Sequence, residues 1–155
     1  MPAIIIRSAT DCDIPAMVDL RAREWETAAY WQTRITAYLS GQLSPQQALP
    51  ARAAFVAAAP DARVVGFVAG HLTKRFACDA ELEWLNVAES HRGQGLAGRL
   101  VAAMATWFIA QNAIRVCVDP GTALARRLYA RLGTQPLNPH WLYWPDIRQS
   151  FPTPK

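Results

Sequence analysis

The stretch ELEWLNVAESHRGQGLAGRL, residues 81–100, decides the fold of this chain. An apolar run ending at Val87 predicts a strand, and an amphipathic helix begins near Gly95. Between them, Gly93 and Gly95 let the backbone approach a ligand closely, while the unpaired amides and positive dipole end of the helix favour phosphate. The stretch therefore predicts a strand, an anion-binding loop and a helix in that order.

A strand and two helices are predicted before this stretch. Residues 4–7 predict a short strand, and Thr10, with Asp13 three residues later, predicts the start of a helix. Gly41 is expected to end the second helix. Apolar residues at helical spacing mark the two buried faces: Ile14, Met17, Val18 and Trp25, then Trp31, Ile35, Tyr38 and Leu39.

The middle of the chain predicts an antiparallel meander. Three apolar runs, at residues 53–59, 63–72 and 80–87, are separated by short polar turns. After the loop, a helix is expected to end near Asn112, followed by a buried strand at 114–118 and a helix at 122–132. A strand at 141–144 completes the pattern, and the tail after about residue 146 is expected to be loose. The prediction is a mixed α/β fold with one domain over residues 1–155.

Composition narrows the classes of function. The chain has 155 residues, 52% of them hydrophobic and 18% charged, which is typical of a single globular domain rather than a disordered chain. No run approaches the ~20 apolar residues that cross a bilayer. The formal charge is +4, but the basic residues are scattered, which argues against nucleic-acid binding. We expect no membrane partner and a cytoplasmic location, with Cys12, Cys78 and Cys117 reduced and mostly structural.

The glycine loop has three other interpretations. It could be a tight turn without a ligand. Gly93, Gly95 and Gly98 also match the dinucleotide pattern G-x-G-x-x-G, with Asp119 at about the expected distance. That pattern normally follows its strand at once and opens a parallel sheet, whereas five residues separate Val87 from Gly93 here. The Walker pattern fails, because neither its lysine nor its hydroxyl residue follows Gly98.

Residues 92–97 fit the Q/R-x-x-G-x-G/A signature of the GNAT superfamily of acyl-CoA N-acyltransferases. Residues 82–87 stand where that family has its fourth strand, and residues 7–13 resemble its opening. Residues 125–133 resemble its last helix, so the similarity is specific from Leu82 to Gly133. The chain departs from the family at Thr122, where asparagine is frequent, and at Thr134, where an aromatic residue is frequent.

The resemblance implies a fold and a cofactor. The implied fold is a mixed, mostly antiparallel sheet of about six to seven strands with helices on both faces. It also implies a splayed gap between the fourth and fifth strands, where the cofactor acetyl-CoA (coenzyme A) binds without a metal. The implied cofactor-binding residues are Leu85, Val87, Arg92, Gly93, Gln94, Gly95, Leu96, Ala97 and Thr122.

Catalytic roles are also implied by the resemblance. Tyr129 matches the tyrosine that protonates the leaving thiolate, although it could instead be a core tyrosine. Glu83 stands where some members carry a general base, and Glu81, two residues away on the same strand, is the reserve candidate. Either could be an ordinary solvated carboxylate. Cys117 has no His or Asp partner nearby in sequence, so we interpret it as buried and structural.

The function implied is transfer of an acetyl group to the amine of a small molecule or peptide, directly in a ternary complex. A CoA-binding sensor that has lost catalysis is the alternative, and a nicotinamide-binding protein is a weaker one. A homodimer remains open. Aromatic residues of the first helices and last strands could receive the acceptor or form core: Trp25, Tyr30, Trp31, Tyr38, Trp141, Tyr143 and Trp144.

Overall fold

One seven-stranded sheet organises the computed structural model, which describes residues 3–152. The strands stand in the spatial order β1-β2-β3-β4-β5-β7-β6. They are β1 (Ile5–Ser8), β2 (Ala48–Ala58), β3 (Val64–Thr73), β4 (Ala80–Val87), β5 (Val116–Val118), β6 (Gln135–Pro136) and β7 (Leu142–Trp144).

Five α-helices connect and cover the strands. They are α1 (Ile14–Ala22), α2 (Ala28–Leu39), α3 (Leu96–Ala110), α4 (Ala123–Arg131) and α5 (Ile147–Ser150). Within residues 3–152, none of these helices combines the length and apolar character that a membrane crossing requires.

The sheet is mixed, as the sequence predicts. The β4–β5 pair is parallel, whereas the other neighbouring strands run antiparallel. Pairing between β4 and β5 stops where Leu82 lies opposite Val118, so residues 83–87 of β4 have no strand on that side. This is the predicted splayed gap between the fourth and fifth strands.

A β-bulge at Glu83 changes the direction of β4. Ala69 of β3 lies opposite Trp84, but its neighbour Gly70 lies opposite Leu82, so Glu83 is an extra residue in the ladder. Residues two apart in a regular strand share a face. The bulge breaks this rule, because Leu82 packs beneath α3 and Trp84 packs beneath α2 on the opposite face.

Each face of the sheet has its own core. On one face α1 and α2 bury Trp31, Ile35 and Tyr38 against Phe67 of β3. On the other face α3 buries Leu100, Met104 and Phe108. Helices therefore cover both faces, as predicted.

Several predicted boundaries were wrong. Helix α1 ends at Ala22, so Trp25 lies outside it and is 55% exposed. Strand β2 begins at Ala48 rather than residue 53, and β6 was not predicted at all. These errors arise where tertiary pairing extends or ends an element beyond its apolar pattern.

The tail after residue 146 is ordered, which corrects the prediction that it is loose. Asp146 caps α5 by accepting a hydrogen bond from the Arg148 N–H, at 3.0 Å. Ile147 is 1% exposed, and Phe151 packs against the core beside Trp144. Burial of these two apolar side chains holds the segment through residue 152. The last part of the predicted tail, residues 153–155, lies outside the described residues.

Candidate active site

The glycine loop adopts a conformation that favours glycine at two positions. Gly93 and Gly95 have φ values of +78° and +75°, in the left-handed region. Gly95 immediately precedes α3, and Leu96 anchors the start of that helix in the core with 3% exposure. The first amides of a helix have no partner within it, so the loop presents free donors. A Cβ built at either glycine meets no atom within 4 Å, so the space above the loop is open.

The unpaired edge of β4 lies next to this loop along the chain. The Ala88 N–H donates to Val65 O on the β3 side, at 2.8 Å. Because backbone groups alternate sides along a strand, Leu85 and Val87 direct theirs into the gap. The N–H and C=O of Leu85 and the N–H of Val87 are therefore available on the unpaired side, whereas Val87 O already accepts a hydrogen bond from Arg92.

Two predicted cofactor residues already have partners within the chain. Arg92 donates from Nε to Val87 O at 3.1 Å and from its terminal nitrogen to the Glu24 carboxylate at 2.8 Å. The Thr122 hydroxyl caps α4 by accepting a hydrogen bond from the Ala125 N–H at 3.0 Å. Gln94 and Ala97 are exposed and half-buried, respectively, on the loop and the first turn of α3.

A cleft of about 550 Å³ opens at the bulge in β4. Glu81, Glu83 and Leu85 of β4 line it together with Tyr129 of α4. The fold therefore brings the three predicted catalytic residues, Glu81, Glu83 and Tyr129, to one cavity. Val87, Thr122 and the loop residues 92–97 do not line that cavity.

Glu83 has the properties of a base that works near neutral pH. Its side chain is 15% exposed. Burial, the negative charge of Glu81 and a hydrogen bond with Glu81 raise the pKa of Glu83 to about 8, while Arg34 and Arg75 act in the opposite direction. A catalytic base is most effective when its pKa lies close to the working pH. The ordinary solvated carboxylate is therefore the poorer interpretation of Glu83.

His71 and Tyr38 complete a buried polar cluster that the sequence analysis missed. The Tyr38 hydroxyl lies 2.8 Å from His71 Nδ1, and both residues are fully buried. His71 Nε2 lies 3.6 Å from Glu81 Oε1, and His71 Nδ1 lies 4.0 Å from Glu83 Oε2. Burial first, and then the charge of Glu83, raise the pKa of Tyr38, so its phenol stays neutral. A lone histidine in an apolar β3 run gave no sequence signal for this cluster.

The cluster has donor types that divalent metal ions also bind. One ligand atom each from His71, Glu81 and Glu83 lies within 4.8 Å of the others. However, the Arg75 guanidinium lies 3.6 Å from Glu81 Oε1, and a second cation beside it would be repelled. The arrangement therefore favours proton transfer over metal binding.

Tyr129 has its ring in the core and its hydroxyl at the cleft. The residue is 5% exposed, and its ring packs edge-to-face on Trp144 with centroids 6.1 Å apart. Its hydroxyl has no hydrogen-bond partner within residues 3–152. Burial raises the pKa of the phenol above its ordinary value, which keeps the proton available for donation.

Cys117 lacks the properties of a nucleophile. It is fully buried on β5 opposite Glu81. A hydrogen bond with Cys78, together with burial, raises the pKa of the Cys117 thiol. Because the thiolate is the reactive form, this environment suits the structural role that the sequence analysis gave to Cys117.

The aromatic residues divide between core and cleft. Tyr38 and Trp144 are fully buried, whereas Trp25 and Tyr30 line the cleft and are 55% and 37% exposed. Trp31 does both, since it is 2% exposed yet contributes to the lining. Trp141 also lines the cleft, and Tyr143 does not.

Comparisons with known proteins agree with this fold. The profile of the acetyltransferase (GNAT) family matches residues 14–134. This chain therefore belongs to the GNAT acetyltransferase family. No curated protein sequence matches it.

Solved structures with the same fold have low sequence identity to this chain. A GNAT family N-acetyltransferase (YhbS) from Escherichia coli, solved in complex with CoA, is 20% identical with a TM-score of 0.71, covering 98% of this chain and 86% of that one. A GCN5-related N-acetyltransferase from Kribbella flavida is 19% identical with a TM-score of 0.68, covering 92% and 98%. The PaiA N-acetyltransferase from Thermoplasma acidophilum, in complex with coenzyme A, is 13% identical with a TM-score of 0.65, covering 92% and 98%.

The dinucleotide interpretation does not suit this architecture. A dinucleotide-binding unit needs successive parallel strands, and residues 3–152 contain one parallel pair, β4–β5. The free edge of β4 and the open glycine loop are instead the features that a pantetheine arm and a pyrophosphate require. The residues present therefore fit CoA.

Proposed function

We propose that this protein is an acetyl-CoA-dependent N-acetyltransferase that acetylates the amine of a small molecule or peptide by direct transfer. One observation carries the proposal: Glu83 and Tyr129 line the same cleft at the unpaired edge of β4. A base and an acid on one cavity are what amine acylation by a thioester requires.

The cofactor would be held mainly by the backbone. Leu85 and Val87 would pair with the pantetheine arm, and the amides of residues 93–97 would bind the pyrophosphate. Bound acetyl-CoA supplies an acetyl group activated as a thioester. Arg92 would add positive charge beside the loop, and Thr122 would keep α4 capped.

Glu83 would accept the proton that the acceptor ammonium must lose before attack. Glu81 and His71 border this carboxyl group and would hold it in place. The amine nitrogen then forms a bond to the acetyl carbon as the carbon–sulfur bond breaks. Tyr129 would donate its hydroxyl proton to the departing sulfur and regain a proton from the nitrogen, which must lose its second proton as the amide forms. Of the two protons that the ammonium gives up, one would then rest on Glu83 and one on the thiol.

A panel of amines tests the proposal. Purified protein is incubated with acetyl-CoA and each amine, and the free thiol released is measured. We expect release that depends on the amine and an acetylated product of the expected mass. If acetyl-CoA raises the melting temperature but no amine releases thiol, the protein is a CoA-binding sensor and the proposal fails.

A further inference from the structure

The acceptor end of the cleft carries more positive charge than a site for a simple amine needs. Arg21 of α1, Arg34 of α2 and Arg75, which follows β3, all line it. Arg75 is committed to Glu81 at 3.6 Å. Arg34, by contrast, has no carboxylate within 4.0 Å and no hydrogen bond among residues 3–152. It is a half-buried cation that lines the cleft, and its guanidinium carbon lies 5.9 Å from the centre of the Tyr30 ring.

Arg21 is also incompletely paired. One terminal nitrogen donates to Asn86 Oδ1 at 3.1 Å, and the guanidinium lies 4.3 Å from the centre of the Trp31 ring. These two contacts fix its orientation. Among residues 3–152 its Nε is nevertheless buried without a hydrogen-bond partner, so the charge of Arg21 is only partly compensated within the protein.

The carboxylates of the cleft offset these cations only in part. Glu81, Glu83 and Asp119 are the acidic residues in the lining. Glu81 already faces Arg75, and the pKa of Glu83 is raised to about 8, so Glu83 is largely neutral near pH 7. Arg34 is close enough to act on the pKa of Glu83. An ammonium group placed at Glu83 would therefore be repelled by Arg34 unless the same molecule carried an anion.

Two exposed aromatic rings lie beside Arg34 at the cleft. Trp25 and Tyr30 lie at the cleft with ring centroids 6.0 Å apart, and both are substantially exposed. Tyr30 also precedes Arg34 by one helical turn of α2, so both side chains lie on one face. Exposed aromatic rings beside a cation suit a ligand with an aromatic group and an anionic group.

We propose that the acceptor is a free aromatic α-amino acid, whose carboxylate binds Arg34, whose amine meets Glu83, and whose ring stacks on Trp25 and Tyr30. Arg21 also lines the cleft and adds positive charge beside this carboxylate. This inference rests on the proposed acetyl transfer to an amine.

Two substrates that differ only in the carboxylate test the inference. L-Tryptophan and tryptamine share the ring and the amine, and L-phenylalanine and 2-phenylethylamine form a second pair. We expect the amino acid to have a kcat/KM at least about tenfold higher than its amine, the lower range for a charged hydrogen bond. This comparison on the unaltered protein needs no variant.

The variant Arg34→Gln then tests whether Arg34 causes the preference for the amino acid over the amine. It should lower kcat/KM for L-tryptophan about ten- to hundredfold and raise kcat/KM for tryptamine, whose ammonium Arg34 no longer repels. Arg63→Gln, at an exposed residue in the turn before β3, is the matched control and should leave both substrates unchanged. In the presence of CoA, L-tryptophan should raise the melting temperature of the unaltered protein and not of Arg34→Gln.

Equal kcat/KM for tryptophan and tryptamine, or an equal loss for both in Arg34→Gln, would overturn the amino-acid proposal. Acetyl transfer to amines would survive either result. If no amine of the wider panel is acetylated, the proposed function fails as well, so the two failures are distinguishable.

Discussion

The two halves of the proposed active site are built from different parts of the polypeptide. The cofactor half comprises the free edge of β4 and residues 92–97, and its binding groups are mainly backbone amides and carbonyls. The acceptor half comprises the side chains of Arg21, Arg34, His71, Glu81 and Glu83, drawn from α1, α2, β3 and β4. Tyr129 lines the same cleft from α4.

This difference predicts how each half responds to substitution. A backbone-built site depends on loop conformation and free space, so most side chains can change without loss, but a group that enters the space abolishes binding. A site built from side chains changes selectivity or pH dependence with each substitution while the cofactor still binds. The three variants below test this contrast in order of expected effect.

Gly95→Asp should have the largest effect, because it places a negative charge in the open space above the loop. At 100 times its Kd, a ligand stabilises a protein by about 2.7 kcal/mol, or roughly 5–10 °C in a chain of this size. We expect acetyl-CoA to give no such shift in melting temperature with this variant.

Gly41→Asp is the matched control for Gly95→Asp. Gly41 has a φ of +82°, and a Cβ there also meets no atom within 4 Å, but it follows α2 away from the loop. Both variants carry the same backbone strain, and only Gly95→Asp should lose the response to acetyl-CoA. An undiminished response in folded Gly95→Asp would show that the cofactor half has been placed wrongly.

Tyr129→Phe should have the second-largest effect, because it removes one hydroxyl and leaves the ring packed on Trp144. General acid catalysis is typically worth about 100- to 10,000-fold, and kcat should fall by that factor. Acetyl-CoA should still raise the melting temperature. Tyr143→Phe, whose residue does not line the cleft, is the control. If folded Tyr129→Phe keeps the kcat of the unaltered protein, Tyr129 is a core residue without a catalytic role.

Glu83→Gln should have the smallest effect, and one that depends on pH. With the pKa of Glu83 at about 8, wild-type kcat/KM should rise with pH and level off above about pH 8. The variant should continue to rise towards the pKa of the free amine, so its loss should shrink between pH 7 and pH 10. A uniform loss across this range would indicate a binding role for Glu83.

Glu83→Gln should also change how the stability of the protein depends on pH. The pKa of Glu83 is raised from 4.5, so the folded state keeps a proton that the unfolded chain releases between about pH 4.5 and 8. Stability therefore falls as pH rises through this window. The melting temperature of Glu83→Gln minus that of the unaltered protein should therefore be larger at pH 9 than at pH 5.

Much of the fold was predictable because its signals are local. The β3 and β4 runs and the helix after the loop each show an apolar pattern that belongs to one secondary structure. The tail beyond Pro145 was predicted wrongly, because long-range burial decided it, and the end of α1 was predicted wrongly because Trp25 fits the helical spacing although it lies outside the helix. Ile147 is nearly inaccessible in the fold, although its proline-rich neighbourhood gives no local sign of order.

The sequence by itself specified the loop and helix to which we assign the cofactor half. Gly93 and Gly95 specify a backbone conformation, and the following helix supplies its amides whatever its side chains are, so a six-residue signature is sufficient. Only the tertiary structure decided the acceptor half. The bulge at Glu83, the contact of His71 with Tyr38 and the position of Arg34 at the cleft depend on strand register and helix packing between residues 12 or more positions apart in the chain. Such contacts leave no local pattern, because each side chain is ordinary until the fold brings its partners together.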